Sequence, residues 1–473
     1  MATRSEIITL EGHAEPEQTL SYLHLPFNVP AGTVRIAASY AYSAAISSDP
    51  HVTGGSTVDI GIFDTRGTDF MTEGFRGWSG SARQSFFIGT DDATPGYMPG
   101  PIQPGTWYIC LGLYKVAPDG CDYRVEIELT RSDDMQPVLE FPARLPLRHQ
   151  PEEGQPSWPR SADGWYKGEL HCHTYHSDGD SDPLEVVARA EALSLDFLAI
   201  TDHNVLSQLV TLNRAQTSLM LIPGCEVTTY KGHWNIWGDT TAGWIDFRIL
   251  TEEAMRTAVS EALRRGYTVS CNHPRPYGPE WVYDQIEGFH TMEVWNGPWE
   301  IFNSTALAFW ENKLRAGQRY TAVGGSDAHF HHREHIAKLA QPTNWIYVDG
   351  DPSPAKLTEA MRAGHVFVTH GPDGARLFLT IGDAIMGDRI PRSGLQSARA
   401  AVRVEGAAGH ALELYTSAGR IHRESISSNV WETEIDLSAI DDAALYIRAQ
   451  IVEESITESD AAVTALTNPI YFV

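Results

Sequence analysis

The stretch "GELHCHTYHSDG", Gly168 to Gly179, decides how the rest of the chain is read. His171, His173, His176 and Asp178 fall within eight residues of a chain that has 19 His among 473. His171 and His173 follow the strand-like run "WYKGEL" in the order H-x-H. In extended chain, residues i and i+2 point to the same side, so both imidazoles reach one ion without bending the backbone. An ordinary polar loop after a strand offers the same pair, and the remaining sequence has to separate the two.

A second i,i+2 pair, Asp327 and His329 in "GGSDAH", follows the predicted strand "YTAV". Further ligand types stand at other predicted strand ends: Asp202 and His203 in "FLAITDHN", Glu226 in "LIPGCEV", and His273 in "TVSCNHPRPYG" with Arg275 two residues on. His233 opens a strand in "KGHWNIWG". An alternating βα architecture gathers strand ends on one face, so these residues converge in one cleft. The set is His, Asp and Glu without cysteine, which favours Zn, Mn or Fe. It holds more candidates than one ion binds, which predicts two to three divalent ions sharing a bridging carboxylate. Such clusters acidify a bridging water and clamp an oxyanion.

The flanks of this segment differ from it. Residues 1–135 contain short β-type runs such as "TVDIGIFD", "TWYICLGLY" and "DYRVEIELT", the last with Val125, Ile127 and Leu129 on one face, and predict a jelly-roll-like β-sandwich. Residues 136–164 are rich in Pro and polar residues and predict a surface linker. From 165 to 370 strands alternate with helices, which predicts a mainly parallel sheet. Asp182-Pro-Leu-Glu185 is a capping box with Pro at the first helical position. "TEEAMRTAVSEALRRG" starts on acids and ends on two Arg, while "ALAFWENKLRAG" and "SPAKLTEAMRAG" stop at glycines. Residues 371–473 return to β runs and predict a second, smaller sandwich.

The formal charge of −26 opposes long nucleic acids and anionic membranes. No apolar run spans a bilayer and no secretory pattern opens the chain, so the expected location is cytoplasmic. Five Cys without a CxxC pair predict reduced core thiols, although Cys110 and Cys121 can face each other across a hairpin. Cys172, Cys225 and Cys271 should point away from the ions.

The ordered set "HCHTYHSDG…TDHN…GCEV…NHP…GSDAH" resembles the polymerase and histidinol phosphatase (PHP) family over roughly residues 165–370. The resemblance implies a distorted (β/α)7 barrel with a trinuclear site. By motif, His171, His173, Glu226 and Asp327 resemble the ligands of a first ion. Glu226 would bridge to a second held with His233 and His273, and Asp178, His203 and His329 resemble the third set. Asp178 stands where other members carry a His. "GHWNIWG", "EVWNG", "VFVTHGP" and "TNPIYFV" resemble the carbaryl-hydrolase branch, which also has β domains around the core.

Three further residues are candidates for catalysis. His176 either hydrogen-bonds locally or protonates a leaving group. Asp202 either ligates or orients an imidazole as an outer acceptor. Arg275 either clamps an oxyanion or pairs with a nearby acid. Asn296 either touches substrate or caps the next turn, and His331, His332 and His335 read as a solvated helix start. The expected function is metal-dependent hydrolysis of a small-molecule phosphoester by a metal-bridging hydroxide. The alternatives are carboxylic ester or carbamate hydrolysis at the same site, or a non-catalytic binding protein.

Overall fold

A computed structural model describes residues 3–69, 74–132, 158–239, 243–276, 278–454 and 461–473. Residues 136–157 of the expected linker lie outside this set, and Trp158 packs half-buried against the cluster that contains Tyr166, Phe197 and Ile346.

The first 132 residues form two four-stranded antiparallel sheets. One has the strand order Thr3–Ala14, Cys121–Ser132, Thr33–Tyr42, Ser85–Gly89 and the other Ser21–Val29, Gly105–Lys115, Thr57–Phe63, Phe75–Gly80, the double Greek key of a jelly roll. The strand Cys121–Ser132 shows why. Val125, Ile127 and Leu129 are buried, while Arg124, Glu126 and Glu128 between them face solvent, as a period of two requires. Ile36, Ile60, Ile62, Trp107 and Ile109 fill the space between the sheets.

The central segment corrects the expectation of a mainly parallel sheet: it is built from two mixed sheets. In one, Trp165–Glu169, Phe197–Leu198 and Met220–Leu221 run parallel, but Thr343–Tyr347 joins antiparallel to Trp165–Glu169. In the other, Thr268–Cys271, Thr291–Asn296 and Thr321–Gly325 are parallel, whereas Gly224–Thr229 and Gly232–Trp237 form a hairpin. The turn at Tyr230–Lys231 leaves no room for a crossover helix, and a tight turn enforces antiparallel pairing. At the end that carries the ligand residues, parallel bridges Cys172–Ala328 and His203–Glu226 join the sheets.

The helices among the described residues are α1 Pro183–Ala192, α2 Gln208–Leu212, α3 Glu252–Arg264, α4 Asn303–Arg315 and α5 Pro354–Ala363. Asp182 caps α1 by accepting from Leu184 N at 2.7 Å, and Glu185 returns the bond at 3.0 Å. No helix among the described residues is long and apolar enough to cross a membrane. The segment after His329 forms bends rather than the expected helix, because Asp180 accepts from the backbone N–H groups of His331 and His332.

The C-terminal segment is not separate from this core. Val366–Thr369 pairs with Val463–Thr467, which pairs in turn with Tyr446–Glu453 and on to His410–Thr416. One sheet therefore runs across the boundary expected at 370. A second sheet, containing Arg376–Ile381, Arg399–Glu405 and Val430–Asp436, covers its far end.

The strand Thr321–Gly325 ends its sheet, and two side-chain amides complete its outer edge. Asn468 accepts from Ala322 N at 2.7 Å and donates to Ala322 O at 2.9 Å. Asn344 does the same for Gly324 at 2.8 and 2.7 Å. A carboxamide carries one carbonyl and one NH2, so it can serve both polar groups of an edge residue. The five cysteines are buried and free. Cys172 and Cys225 hydrogen-bond the carbonyls of Ala199 and Asp202.

Candidate metal centre

The strands that deliver the first ligands are tied by a carboxylate that the sequence reading missed. Glu169 is fully buried and accepts from the backbone N–H groups of Leu170, His171, Ser326 and Ala340 at 2.7–3.2 Å. It thereby locks the chain before His171 to the chain before Asp327. Asp327 N donates to His171 O at 2.8 Å, and His173 N to Ala328 O at 3.0 Å. The extended-pair account of Asp327 and His329 is corrected, because Asp327 has φ +52°. His273, at φ +29°, also lies on the left-handed side. Such conformations cost free energy and persist where the surroundings over-determine them.

All nine expected ligands fall in one connected cluster centred on Glu226 and Asp327. Glu226 Oε1 lies 3.3 Å from His171 Nε2, His233 Nδ1 and His273 Nε2. Its Oε2 lies 2.8 Å from His203 Nδ1 and 3.6 Å from His173 Nε2. Asp327 Oδ1 is 3.0 Å from His173 Nε2 and 3.4 Å from His171 Nε2. Asp178 Oδ1 is 3.2 Å from His329 Nε2 and 3.5 Å from His203 Nε2. Three subsets have donor atoms close enough to share an ion: His171, His173 and Glu226; His203, Glu226 and His233; and His173, Asp178, His203 and His329.

The surroundings select tautomers. Glu293 Oε1 faces His171 Nδ1 at 2.9 Å, and the Asp327 carbonyl faces His329 Nδ1 at 2.8 Å. Each partner accepts the Nδ1 proton, which leaves Nε2 as the atom that faces the cluster. Glu293 Oε2 also accepts from His273 N at 3.1 Å and Asn296 Nδ2 at 3.0 Å. Asn272 Nδ2 donates to Glu226 Oε1 at 3.0 Å.

The electrostatics follow the packing. Burial pushes Glu226 up, but His171, His233 and His203 outweigh it and hold the carboxyl well below its usual range. Asp327 is likewise depressed, by His171, His173 and His329 against its burial. Burial, with His329 and His203 alongside, lowers His173 to about 4 and keeps it neutral. His329 is desolvated too, yet Asp178 and Asp327 raise it to about 10. The cluster thus holds anionic carboxylates beside imidazoles.

A divalent cation suits this arrangement. Glu226 Oε2 and Asp327 Oδ1 are buried without a well-aligned hydrogen-bond donor. Imidazole nitrogens face one another at 3.2 Å for His171 and His173 and 3.3 Å for His203 and His329. Two lone pairs at that distance repel unless a proton or a metal lies between them. Nitrogen and oxygen donors without thiolate match Zn, Mn or Fe.

Residues 169–273 match the PHP domain. Asp327 and His329 join the cluster from beyond that match. Over 144 residues the chain is 26% identical to the 5'-3' exoribonuclease Rnm of Salmonella typhimurium, covering 29% of this chain and 44% of that protein. The chain therefore spans less than half the length of this curated relative. Among solved structures, one neighbour is a two-domain protein of Bacteroides vulgatus containing a predicted PHP-like metal-dependent phosphoesterase. It has a TM-score of 0.38 and 16% identity, over 66% of this chain and 97% of that one. Another is an amidohydrolase of Chromobacterium violaceum with a TM-score of 0.29 and 16% identity, over 42% and 96%. At those scores neither likeness bears on the fold.

The three expected catalytic residues hydrogen-bond outside the cluster, and His176 follows the local bonding that its sequence reading allowed. Arg275 is buried, and its guanidinium donates to the carbonyls of Asn296 and Ile301 at 2.8 and 2.5 Å and to the Asn296 side chain. It braces Asn296, which in turn holds Glu293 and, at 3.4 Å, Asp327. Asn296 is therefore a brace rather than a turn cap. Asp202 hydrogen-bonds no imidazole among the described residues; it accepts from Thr174 N, Thr174 Oγ1 and Ser177 Oγ at 2.6–2.8 Å and shapes the loop that presents Asp178. His176 turns to Ser207 Oγ at 2.8 Å and Gly96 N at 3.4 Å, in the jelly-roll interface. Burial holds it below its ordinary pKa.

Proposed function

We propose that the chain is a metal-dependent phosphoesterase acting on a small-molecule phosphodiester or monoester, with two to three divalent ions (Zn, Mn or Fe) at the PHP cluster. The observation that carries this is the convergence of imidazoles and carboxylates on Glu226, a buried anion within 3.6 Å of five histidine nitrogens. Ions held there would acidify a water and neutralise charge on the ester oxygens. The protein's own contribution is to fix the ligands. Glu293 and the Asp327 carbonyl set imidazole tautomers, Glu169 fixes two strand ends, and Arg275 with Asn296 steadies Asp327. Asp178, with a side chain 44% exposed, marks the side open to substrate.

The curated relative acts on RNA. The −26 charge favours small substrates for this chain, because a polyanion would be repelled at long range. The same ligands would also serve a carbamate or carboxylic ester, as the resemblance to the carbaryl-hydrolase branch implies.

The experiment is elemental analysis of the purified protein, followed by paired aryl phosphate and aryl carbamate assays. Two to three ions per chain and turnover of the phosphate are expected. His173→Ala and Asp327→Ala should each reduce kcat by about a thousandfold or more while the fold is retained. Turnover of the carbamate alone would overturn the phosphoesterase reading. A protein that takes up no metal, with no rise in Tm on adding Zn or Mn, would point to a non-catalytic scaffold.

A further inference from the structure

The cavity beside the PHP cluster is built by two domains. It measures about 420 Å³, with Asp178, His203 and His233 on one side and Tyr22, Trp78 and Asp59 of the jelly roll on the other. Its wall is a continuous aromatic layer across the domain boundary. Tyr22 stacks on Tyr230 at 5.3 Å, Tyr230 on Tyr114 at 5.1 Å, and Trp78 lies 4.8 Å from Phe247.

One carboxylate interrupts this layer. Asp59 lies on the strand Thr57–Phe63, whose residues are all buried. Its Oδ2 accepts from the Tyr230 hydroxyl at 2.7 Å. Its Oδ1 has no hydrogen-bond partner and the carboxylate no cationic partner among the described residues, while the residue lines the cavity. This oxygen opens on the cavity, so a group bound there can reach it in place of water. The surroundings are shaped for this pair, since a Cβ at Gly112 would collide with the Tyr230 hydroxyl. Burial lifts Asp59 to about 7, so near neutrality it is present both as an acceptor and as an O–H donor.

We propose that this cleft binds the leaving group of the ester, that this group is a ring carrying a hydroxyl, and that Asp59 of the jelly roll is its polar anchor. The proposal rests on the phosphoesterase reading for the bond cleaved. Flat aromatic walls favour a ring over a flexible chain. A hydroxyl both donates and accepts, so it matches Asp59 in either protonation state. No other carboxylate of the jelly roll in this cavity is buried; Asp49, its neighbour in the lining, is exposed.

The test is binding to the metal-loaded full chain by calorimetry, with phenylphosphonate against 3-hydroxyphenylphosphonate. The wild type should prefer the hydroxylated ring by about tenfold or more, the usual weight of a hydrogen bond to a charged group. In Asp59→Ala the preference should fall to within about twofold. Asp59→Asn, which keeps the side-chain volume, should lower it at least about threefold. Metal content and Tm, measured on each variant, establish that it is folded.

Glucose 1-phosphate, with hydroxyls on a non-aromatic ring, distinguishes sources: whichever of it and 3-hydroxyphenyl phosphate has the lower KM names the ring. A wild-type preference near one, or an equal preference in wild type and both variants, would overturn the proposal. The same two aryl rings offered as carbamates separate the two readings. If only the carbamates are hydrolysed, the phosphoesterase reading fails. The role of Asp59 then stands or falls on whether Asp59→Ala removes the preference in kcat/KM.

Discussion

The two β-sandwiches flank the same central core but are joined to it in opposite ways. The C-terminal one shares its backbone with the core: a single sheet passes from Val366–Thr369 into Val463–Thr467. Buried Arg448 donates to Glu311 of α4. The jelly roll shares no strand pairing with the core among the described residues. It touches through side chains: Arg83 donates to the carbonyls of Tyr175 and Ser177, Arg248 lies 2.8 Å from His24, and Tyr230 donates to Asp59. Yet the jelly roll, not the C-terminal sandwich, lines the cavity beside the ligands. Backbone continuity marks what holds the core up, and side-chain contact marks what takes part in its site.

The largest effect should come from breaking the continuous side. Arg448→Met removes one of the two guanidinium partners of Glu311, leaving Arg315 at 2.8 Å, and should cost about 2–3 kcal/mol. Urea unfolding should show one cooperative transition moved to lower concentration, with kcat per folded molecule unchanged. A separate early transition would mean that the C-terminal sandwich folds independently of the core.

The jelly-roll side should give the inverse pattern. Arg83→Ala removes two bonds to the loop between His173 and Asp178 and should lower kcat/KM about tenfold, at a stability cost of about 1–2 kcal/mol. A fall in Tm without a change in kinetics would make the jelly roll a mere support.

The smallest effect tests the core alone. His290, whose Nδ1 accepts from Val269 N at 3.2 Å, is lowered to about 4 by burial and by Arg362. Its folded pKa lies below the unfolded value of about 6.5. The stabilisation is therefore complete above about pH 6.5 and is lost as pH falls towards 4. In His290→Asn the drop in Tm over that window should be shallower than in wild type. Identical slopes would mean that the acid sensitivity arises elsewhere.

The comparison also shows what the chain reveals before folding. The residues of the cluster were legible because most stand at or just past a strand end and the H-x-H spacing has a geometric meaning. Glu169 was not, although it continues the same alternation, Glu169, His171, His173, on one face of the chain. Glu293 in "TMEVWN" and Asp59 in "TVDIGIF" carry a similar signal, a lone acid within an apolar strand, and such an acid needs a partner. Arg275 and Asp202 turn to amide, carbonyl and hydroxyl partners rather than to an acid or an imidazole, because loop position alone does not tell a side chain which way to turn. The backbone carbonyls that hold Arg275 leave no trace in local sequence. The shared sheet was hidden for the same reason, since Val368 and Leu466 pair across some hundred residues of chain.

The carboxamides of Asn344 and Asn468 have a consequence for the interior of the molecule. The strand Thr321–Gly325 is buried along its whole length, and both amides are buried with it. Water cannot serve the N–H and C=O groups of a buried edge, and leaving them unpaired costs free energy. Side chains that imitate a neighbouring strand for two residues supply the missing partners. The sheet can therefore stop inside the protein, beside Asp327, without a further strand.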